Sequence, residues 1–267
     1  MLEIVRPEAA APGARAAMFD FDGTLSLIRS GWLDIMLDMM TGTLSALGSG
    51  ESAEQLRTES FNRVWPHTGN DTLFQMAEFA AMVEARGGTP EDPRAYKQRF
   101  LDELFGISER RMAHVAAGSA APDRYLVPGS RAMLEDLRSR GLTLYLASGT
   151  DHDRLQHEAA VLDIARYFDG GIHGAPFSKE TLVTQITSAP GMHPSMLIGF
   201  GDGPTEIAAL HGSGALAIGV ASDEPECRKV SPFKRRSLIE HGADYIIPNF
   251  LCRQALLPVL FADHEPV

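Results

Sequence analysis

From Pro128 onward the chain repeats one pattern: a short apolar run, a turn containing Gly or Asp, then a stretch of helical periodicity. Alternation of that kind builds βαβ crossovers, and strands joined by such crossovers lie parallel in one sheet with helices on both faces. Strands are expected at 142–147 (LTLYLA), 168–172, 196–200, 215–220 and 245–247. Helices are expected from Ser130, as cap, to the Gly141 stop, over 151–162 and 178–187, from Pro204, and at the C-terminus. A further strand stands far upstream. Residues 14–21 (ARAAMFDF) form an apolar run too short for a helix, and it leads into Asp20-Phe21-Asp22-Gly23-Thr24. The long interval after it reads as helical: Trp32, Ile35, Met36 and Met39 recur at three- and four-residue spacing. Asn70 or Asp71 can cap a helix carrying Phe74, Ala77, Ala81 and Val83 to the Gly87-Gly88 stop, and Pro93 can open another that ends near Gly106. The expected fold is α/β, a parallel sheet flanked by helices over residues 1–26 and 125–267, interrupted by an all-helical cap of residues 27–124.

Composition bounds the partners. With 267 residues, 44% hydrophobic and 22% charged, the chain is of ordinary globular make-up and long enough to bury a sizeable core. Lys and Arg number 24 against 35 Asp and Glu, a net charge of -11. That balance repels nucleic acid where no basic patch overrides it, so any phosphate bound is a small one held locally. Only Cys227 and Cys252 are present, without metal-ligand spacing, and no apolar leader or membrane-length run occurs. A soluble, cytoplasmic protein without a nucleic-acid or membrane partner is expected.

In an open parallel sheet, ligands gather at the carboxyl ends of the strands, where loops and helix N-termini offer free N–H groups. Past the first expected strand stand Asp20 and Asp22. Past LTLYLA comes Ser148-Gly149-Thr150, and past the 196–200 strand come Gly201-Asp202-Gly203 and Glu206, while Lys179 opens the helix between these two. Asp20 and Asp22, two apart on an extended strand end, are expected to project both carboxylates to the same side. Paired carboxylates repel and invite a divalent cation, with Asp202 as a third. Oxygen-only donors suit Mg²⁺, which would screen an anionic nucleophile from an anionic substrate. Ser148 and the N–H groups after it, at a helix N-terminus, can hold phosphate oxygens, and Lys179 adds a point charge. Each signal alone is commonplace in caps, turns and solvated surfaces. Their fixed order at the same end of successive strands points to phosphoryl transfer.

Phe19-Asp20-Phe21-Asp22-Gly23-Thr24-Leu25, Ser148-Gly149-Thr150, Lys179 and Gly199-Phe200-Gly201-Asp202-Gly203-Pro204-Thr205-Glu206 resemble the four motifs of the haloacid dehalogenase (HAD) superfamily. The resemblance runs from about Arg15 to Leu257. The insertion is similar to the helical C1 cap of the phosphoglycolate phosphatase and β-phosphoglucomutase branch. It implies a Rossmann-like core and a Mg²⁺-dependent phosphatase working through an aspartyl phosphate. Asp20 would be the nucleophile, and Asp22 would protonate the leaving alkoxide and then activate water. Thr24, Ser148, Gly149 and Lys179 would hold the phosphate. Mg²⁺ would bind through Asp20, the Asp22 backbone carbonyl and Asp202, with Glu206, where many relatives carry Asp, as a direct or water-mediated partner.

Within that family Asp22 argues against a haloacid substrate, because dehalogenases and phosphonate hydrolases of this type lack an acid there. Lys97, the only lysine of the cap, lies in an Arg94-Lys97-Arg99 pattern that reads as a wet helix face. A phosphomutase of the β-phosphoglucomutase type stays open as an alternative, and more remotely a non-catalytic relative that binds a phosphorylated ligand. The break at residues 65–71 (WPHTGND) makes His67, Asn70 and Gln75 candidate substrate contacts, set against a solvated helix connection capped by Asp71. The substrate expected is a small phosphorylated metabolite, a sugar phosphate or phosphoglycolate-like monoester, because a closing C1 cap leaves room for little more. Only four lysines (Lys97, Lys179, Lys229, Lys234) stand against twenty arginines, and Lys179 is the one expected to resist replacement by arginine. Residues 225–232 read as a polar loop.

Overall fold

A computed structural model of the chain describes residues 2–68 and 71–262. Its strands are β1 (Glu3–Ile4), β2 (Ala16–Asp20), β3 (Thr143–Asp151), β4 (Gly171–Ala175), β5 (Leu197–Gly201), β6 (Leu216–Val220) and β7 (Tyr245–Ile247). They form one sheet in the order β1-β7-β6-β5-β2-β3-β4. Every pairing is parallel except β1 with β7. The two-residue β1 has too little sequence to show a period, and the strand expectation missed it.

Side chains along β2 alternate between two apolar layers. Ala17 and Phe19 join Leu144, Leu146, Ile198, Phe200 and Ile218 on one face, while Ala16 and Met18 join Leu197, Ile207, Leu210 and Ala217 on the other. Phe19 stacks on Phe200 with ring centroids 4.5 Å apart. Truncating such a buried ring to alanine costs about 3–5 kcal/mol. Helices α5 (Ser130–Ser139), α6 (His152–Val161), α7 (Lys179–Thr187), α8 (Pro204–Ser213), α9 (Pro232–Glu240) and α10 (Arg253–Leu260) complete this unit, which contains residues up to Ser30 and from Arg111 onward. After β2 the chain adds β3 and β4 on one side and then crosses over to add β5 on the other, so the strand order reverses at β2. A parallel sheet opens a crevice at the carboxyl end of such a strand.

Three expectations for the core shift by a few residues. Gly129, at φ 86, is the N-cap residue of α5, and Ser130 is its first helical residue, donating its hydroxyl to the Val127 carbonyl at 2.7 Å. The strand expected at 168–172 forms as β4, three residues later, because Tyr167 and Phe168 are used as core residues beside a 3₁₀ turn. The expected boundary of the helical insertion is also corrected. Leu27, Ile28, Met112, Leu126 and Val127 are all members of the core layer, so the second compact unit is Gly31–Arg110 rather than 27–124.

That second unit is helical. Helix α1 (Trp32–Ser45), α2 (Ala53–Val64), α3 (Thr72–Ala85) and the first part of α4 (Pro93–Ala116) enclose Met36, Met40, Leu44, Leu56, Met76, Phe79, Tyr96 and Phe100. Ser52 and Gln55 close a reciprocal capping box at the start of α2. The buried face of α3 is Gln75, Met76, Phe79, Met82 and Val83, and Phe74 is exposed, so the expected stripe is rotated by about one residue. Helix α4 runs through Gly106 instead of stopping there; an interior glycine costs only about 1 kcal/mol against alanine. Among the described residues no helix is long and apolar enough to cross a membrane.

Candidate active site

The extended backbone of β2 stops at Asp20, and a tight turn succeeds it. The N–H groups of Leu25 and Ser26 donate to the Phe21 carbonyl at 2.9 and 2.8 Å, and Gly23 N–H donates to Ser26 O at 2.9 Å. Gly23 takes φ +74, and a Cβ there would overlap the Asp202 carboxylate. Glycine is therefore required twice over, for conformation and for space. The two expected partners take different neighbours beyond the strand end: Asp20 pairs with Lys179, whereas Asp22 accepts from Thr150.

On the β5 side, ligand oxygens of Asp20, Asp202 and Glu206 lie within 4.8 Å of one another, all three residues being buried. Lys179, the first residue of α7, places Nζ 2.6 Å from Asp20 Oδ1 and donates to Glu206 Oε2 at 3.1 Å. Thr24 Oγ1 lies 3.5 Å from Asp20 Oδ2 as donor. Glu206 sits one turn into α8 and its Oε1 accepts the Gly203 N–H at 2.6 Å, so it braces the helix start as well as Lys179. Asp202 pairs with Lys234 Nζ at 2.7 Å, and the same ammonium reaches Glu224 Oε1 at 2.5 Å. Burial, reinforced by Glu206 and Asp202, pushes Asp20 well above the usual carboxylate range against the pull of Lys179. Burial likewise holds Asp202 up at about 6, opposed by Lys234 and assisted by Glu224 and Glu206. The group counts four carboxylates, Asp20, Asp202, Glu206 and Glu224, against two ammonium groups, Lys179 and Lys234. With all four ionised, two formal negative charges are left over, and the all-oxygen donor set of Asp20, Asp202 and Glu206 fits Mg²⁺.

On the β3 side the arrangement is different. Thr150 Oγ1 donates to Asp22 Oδ2 at 3.2 Å, and Arg29 Nη1 donates to Thr150 Oγ1 at 2.5 Å while standing 3.6 Å from Asp22 Oδ2. The remaining guanidinium nitrogens of Arg29 take Glu158 Oε1, at 3.0 and 3.3 Å, and Arg154 Nε takes the same oxygen at 2.9 Å. Glu158 is fully buried in α6, and burial raises its pKa against the pull of Arg29. Ser148 is buried, and its Oγ accepts the Thr150 N–H at 3.1 Å.

Several site expectations are corrected. Strand β3 extends through Ser148, Gly149 and Thr150, so these residues are not the helix N-terminus. That position belongs to α6, whose cap Asp151 already accepts the N–H groups of Asp153 and Arg154. Asp22 adds no carboxylate oxygen to the cluster, which leaves the expected contact through its backbone carbonyl untouched. Within the helical unit, Gln75 is buried with its Nε2 donating to the Val64 carbonyl at 3.2 Å, which makes it a packing residue rather than a free contact. His67 stacks on Phe74, with ring centroids 6.2 Å apart. Asn70 lies outside the described residues, and Asp71 caps α3 and pairs with Lys97 at 2.5 Å.

Four residues at the site were missed. Lys234 and Glu224 flank the stretch read only as a polar loop, and the scarcity of lysine was the available signal for Lys234. Arg29 and Glu158 were also missed; a lone arginine after the Leu25-Ser26-Leu27-Ile28 run was the available signal for Arg29.

A family model described as haloacid dehalogenase-like hydrolase matches residues 14–214. Among solved structures, the fold is similar to a predicted phosphoglycolate phosphatase from Haemophilus somnus 129PT, at 17% identity and TM-score 0.61 over 92% of this chain and 98% of that one. It is also similar to a β-phosphoglucomutase candidate from Bacteroides vulgatus, at 18% identity and TM-score 0.59 over 95% and 92%. A third similar structure is a HAD family hydrolase from Deinococcus radiodurans R1 with bound phosphate and sodium, at 18% identity and TM-score 0.56 over 92% and 96%. No curated protein matches the sequence significantly.

Proposed function

Because the chain belongs to the haloacid dehalogenase-like hydrolase family, we propose that it is a phosphatase acting on a small phosphomonoester through an aspartyl phosphate on Asp20. The observation that carries this reading is the buried Asp20–Lys179 pair, 2.6 Å apart at the carboxyl end of the central strand. Such a carboxylate is shielded from bulk water and steadied by one ammonium, the condition for attack on an anionic phosphoryl group.

In the first step an Asp20 carboxylate oxygen bonds to phosphorus, the bond from phosphorus to the ester oxygen breaks, and the leaving alkoxide takes a proton from Asp22. In the second, Asp22 takes a proton from water, the resulting hydroxide attacks phosphorus, and the bond to Asp20 breaks to release inorganic phosphate. Lys179 neutralises part of the charge that gathers on Asp20 and the phosphoryl oxygens, and Glu206 holds Lys179 in place. Asp20 and Asp202 would hold Mg²⁺, with Glu206 beside them; when bound, the ion would screen the phosphoryl charge from the carboxylates. Ser148, Gly149 and Thr24 are the proposed phosphate contacts around Asp20.

A panel of alkyl phosphomonoesters, sugar phosphates and phosphoglycolate included, assayed with Mg²⁺ is the direct test. Phosphate release on at least one, and a loss of at least roughly a thousandfold in Asp20→Asn with an unchanged circular dichroism spectrum, is the expected result. No release from any of them or from an aryl phosphate would overturn the reading. Isomerisation that depends on a bisphosphate activator would assign a mutase instead.

A further inference from the structure

Arg29 is 7% exposed, yet it lies beside the proposed proton-transfer carboxylate. All three of its guanidinium nitrogens point at protein acceptors: Nη1 at Thr150, Nε and Nη2 at Glu158. A buried guanidinium committed in this way is poorly placed to bind an incoming phosphate, and its planar fork suits the joining of fixed acceptors. Glu158 is itself anchored by Arg154 one turn earlier on α6. The chain of contacts therefore runs from the helix through Glu158 and Arg29 to the Thr150 hydroxyl, which accepts from Arg29 and donates to Asp22 Oδ2. It ends on one oxygen of Asp22 only. The other, Oδ1, is buried and accepts no hydrogen bond.

We infer that Arg29 is a positioning residue which, through Thr150, fixes Asp22 Oδ2 and thereby leaves Oδ1 as the atom that gives and takes the proton. The inference rests on the phosphatase reading and assigns a task within it. If Arg29 only stabilised the fold, its replacement would slow all substrates alike. If it aims Asp22, the loss depends on how much the leaving group needs a proton. An alkoxide needs one, whereas 4-nitrophenolate leaves as an anion.

The experiment compares kcat/KM for the best alkyl phosphate of the panel with that for 4-nitrophenyl phosphate, in wild type, Arg29→Lys and Thr150→Val. This parameter covers steps up to departure of the leaving group. A lysine keeps the charge but cannot span Glu158 and Thr150 together, and valine keeps the shape of threonine without its hydroxyl. General acid catalysis typically contributes about 10²–10⁴-fold. The expected result for Arg29→Lys is therefore a loss of at least about tenfold on the alkyl ester and at most about threefold on the aryl ester, with Thr150→Val shifting the ratio the same way. Equal losses on both substrates in folded variants would overturn the inference while leaving the phosphatase reading intact. If Arg29→Lys does not fold, the ratio in Thr150→Val decides. A wild-type protein inert toward both substrates would instead contradict the phosphatase reading itself.

Discussion

The two sides of β2 solve the same problem, burying charge at the end of a sheet, in opposite ways. Toward β3, the carboxylates of Asp22 and Glu158 meet two arginines, Arg29 and Arg154, and the formal charges balance. Toward β5, four carboxylates meet two lysines and two negative charges are left over. Burial raises Asp20 and Asp202, and the neighbouring carboxylates add to it; on the other side burial raises Glu158 as well, against the pull of Arg29. One side thus pairs its carboxylates one for one with arginines, and the other gathers more carboxylates than cations around the proposed metal site. The cations differ to match: planar arginines tie fixed acceptors together, and lysines act as point charges beside the proposed nucleophile.

Removing a ligand breaks this contrast most directly. Asp202→Asn is expected to weaken Mg²⁺ binding by more than about a hundredfold, beyond the roughly 10–100-fold typical of outer partners, as read by isothermal titration. Binding within about threefold of wild type would contradict it. Lys179→Arg is a subtler probe, since it keeps the charge and changes its shape next to Asp20 and Glu206. A loss of roughly tenfold or more in kcat/KM is expected, and normal turnover would show that the ammonium geometry is unimportant.

The pH dependence sharpens the comparison with the smallest effect. Asp202 has a folded pKa of about 6, above the ordinary carboxylate value of 3.8, so folding favours its protonated form. Its contribution to the metal-free protein is least unfavourable at low pH and turns against the fold as pH rises through the interval from 3.8 to about 6. Mg²⁺ bound at Asp202 would reverse this by pairing with the ionised form. Mg²⁺ is therefore expected to raise the melting temperature more at about pH 7.5 than at about pH 5, by a few degrees at roughly 2–4 °C per kcal/mol. An equal rise at both pH values would locate the binding elsewhere.

Much of the site was legible in the sequence because strand ends are local features. Asp20, Lys179 and Asp202 could be placed at the carboxyl edge from short runs and turns alone. The orientation of Asp22 could not, since period-two alternation ceases at the last strand residue and the left-handed turn at Gly23 sets the direction of the chain beyond it. Lys234 is 32 residues from Asp202 and Glu158 is 129 from Arg29, and pairings at such separations leave no spacing pattern to read. The limits of the helical unit were blurred for a similar reason. Leu27 and Ile28 look like the start of an amphipathic helix, but they belong to the same core layer as Leu126 and Val127, far along the chain.

The central claim is that Asp20 carries the phosphoryl group between the two steps. Rapid acid quench during turnover of the best substrate, followed by peptide mass spectrometry, tests it directly. A phosphoryl adduct on the peptide containing Asp20, absent in Asp20→Asn, is the predicted result. Steady phosphate release with no adduct there, or with the adduct on another residue, would contradict the account.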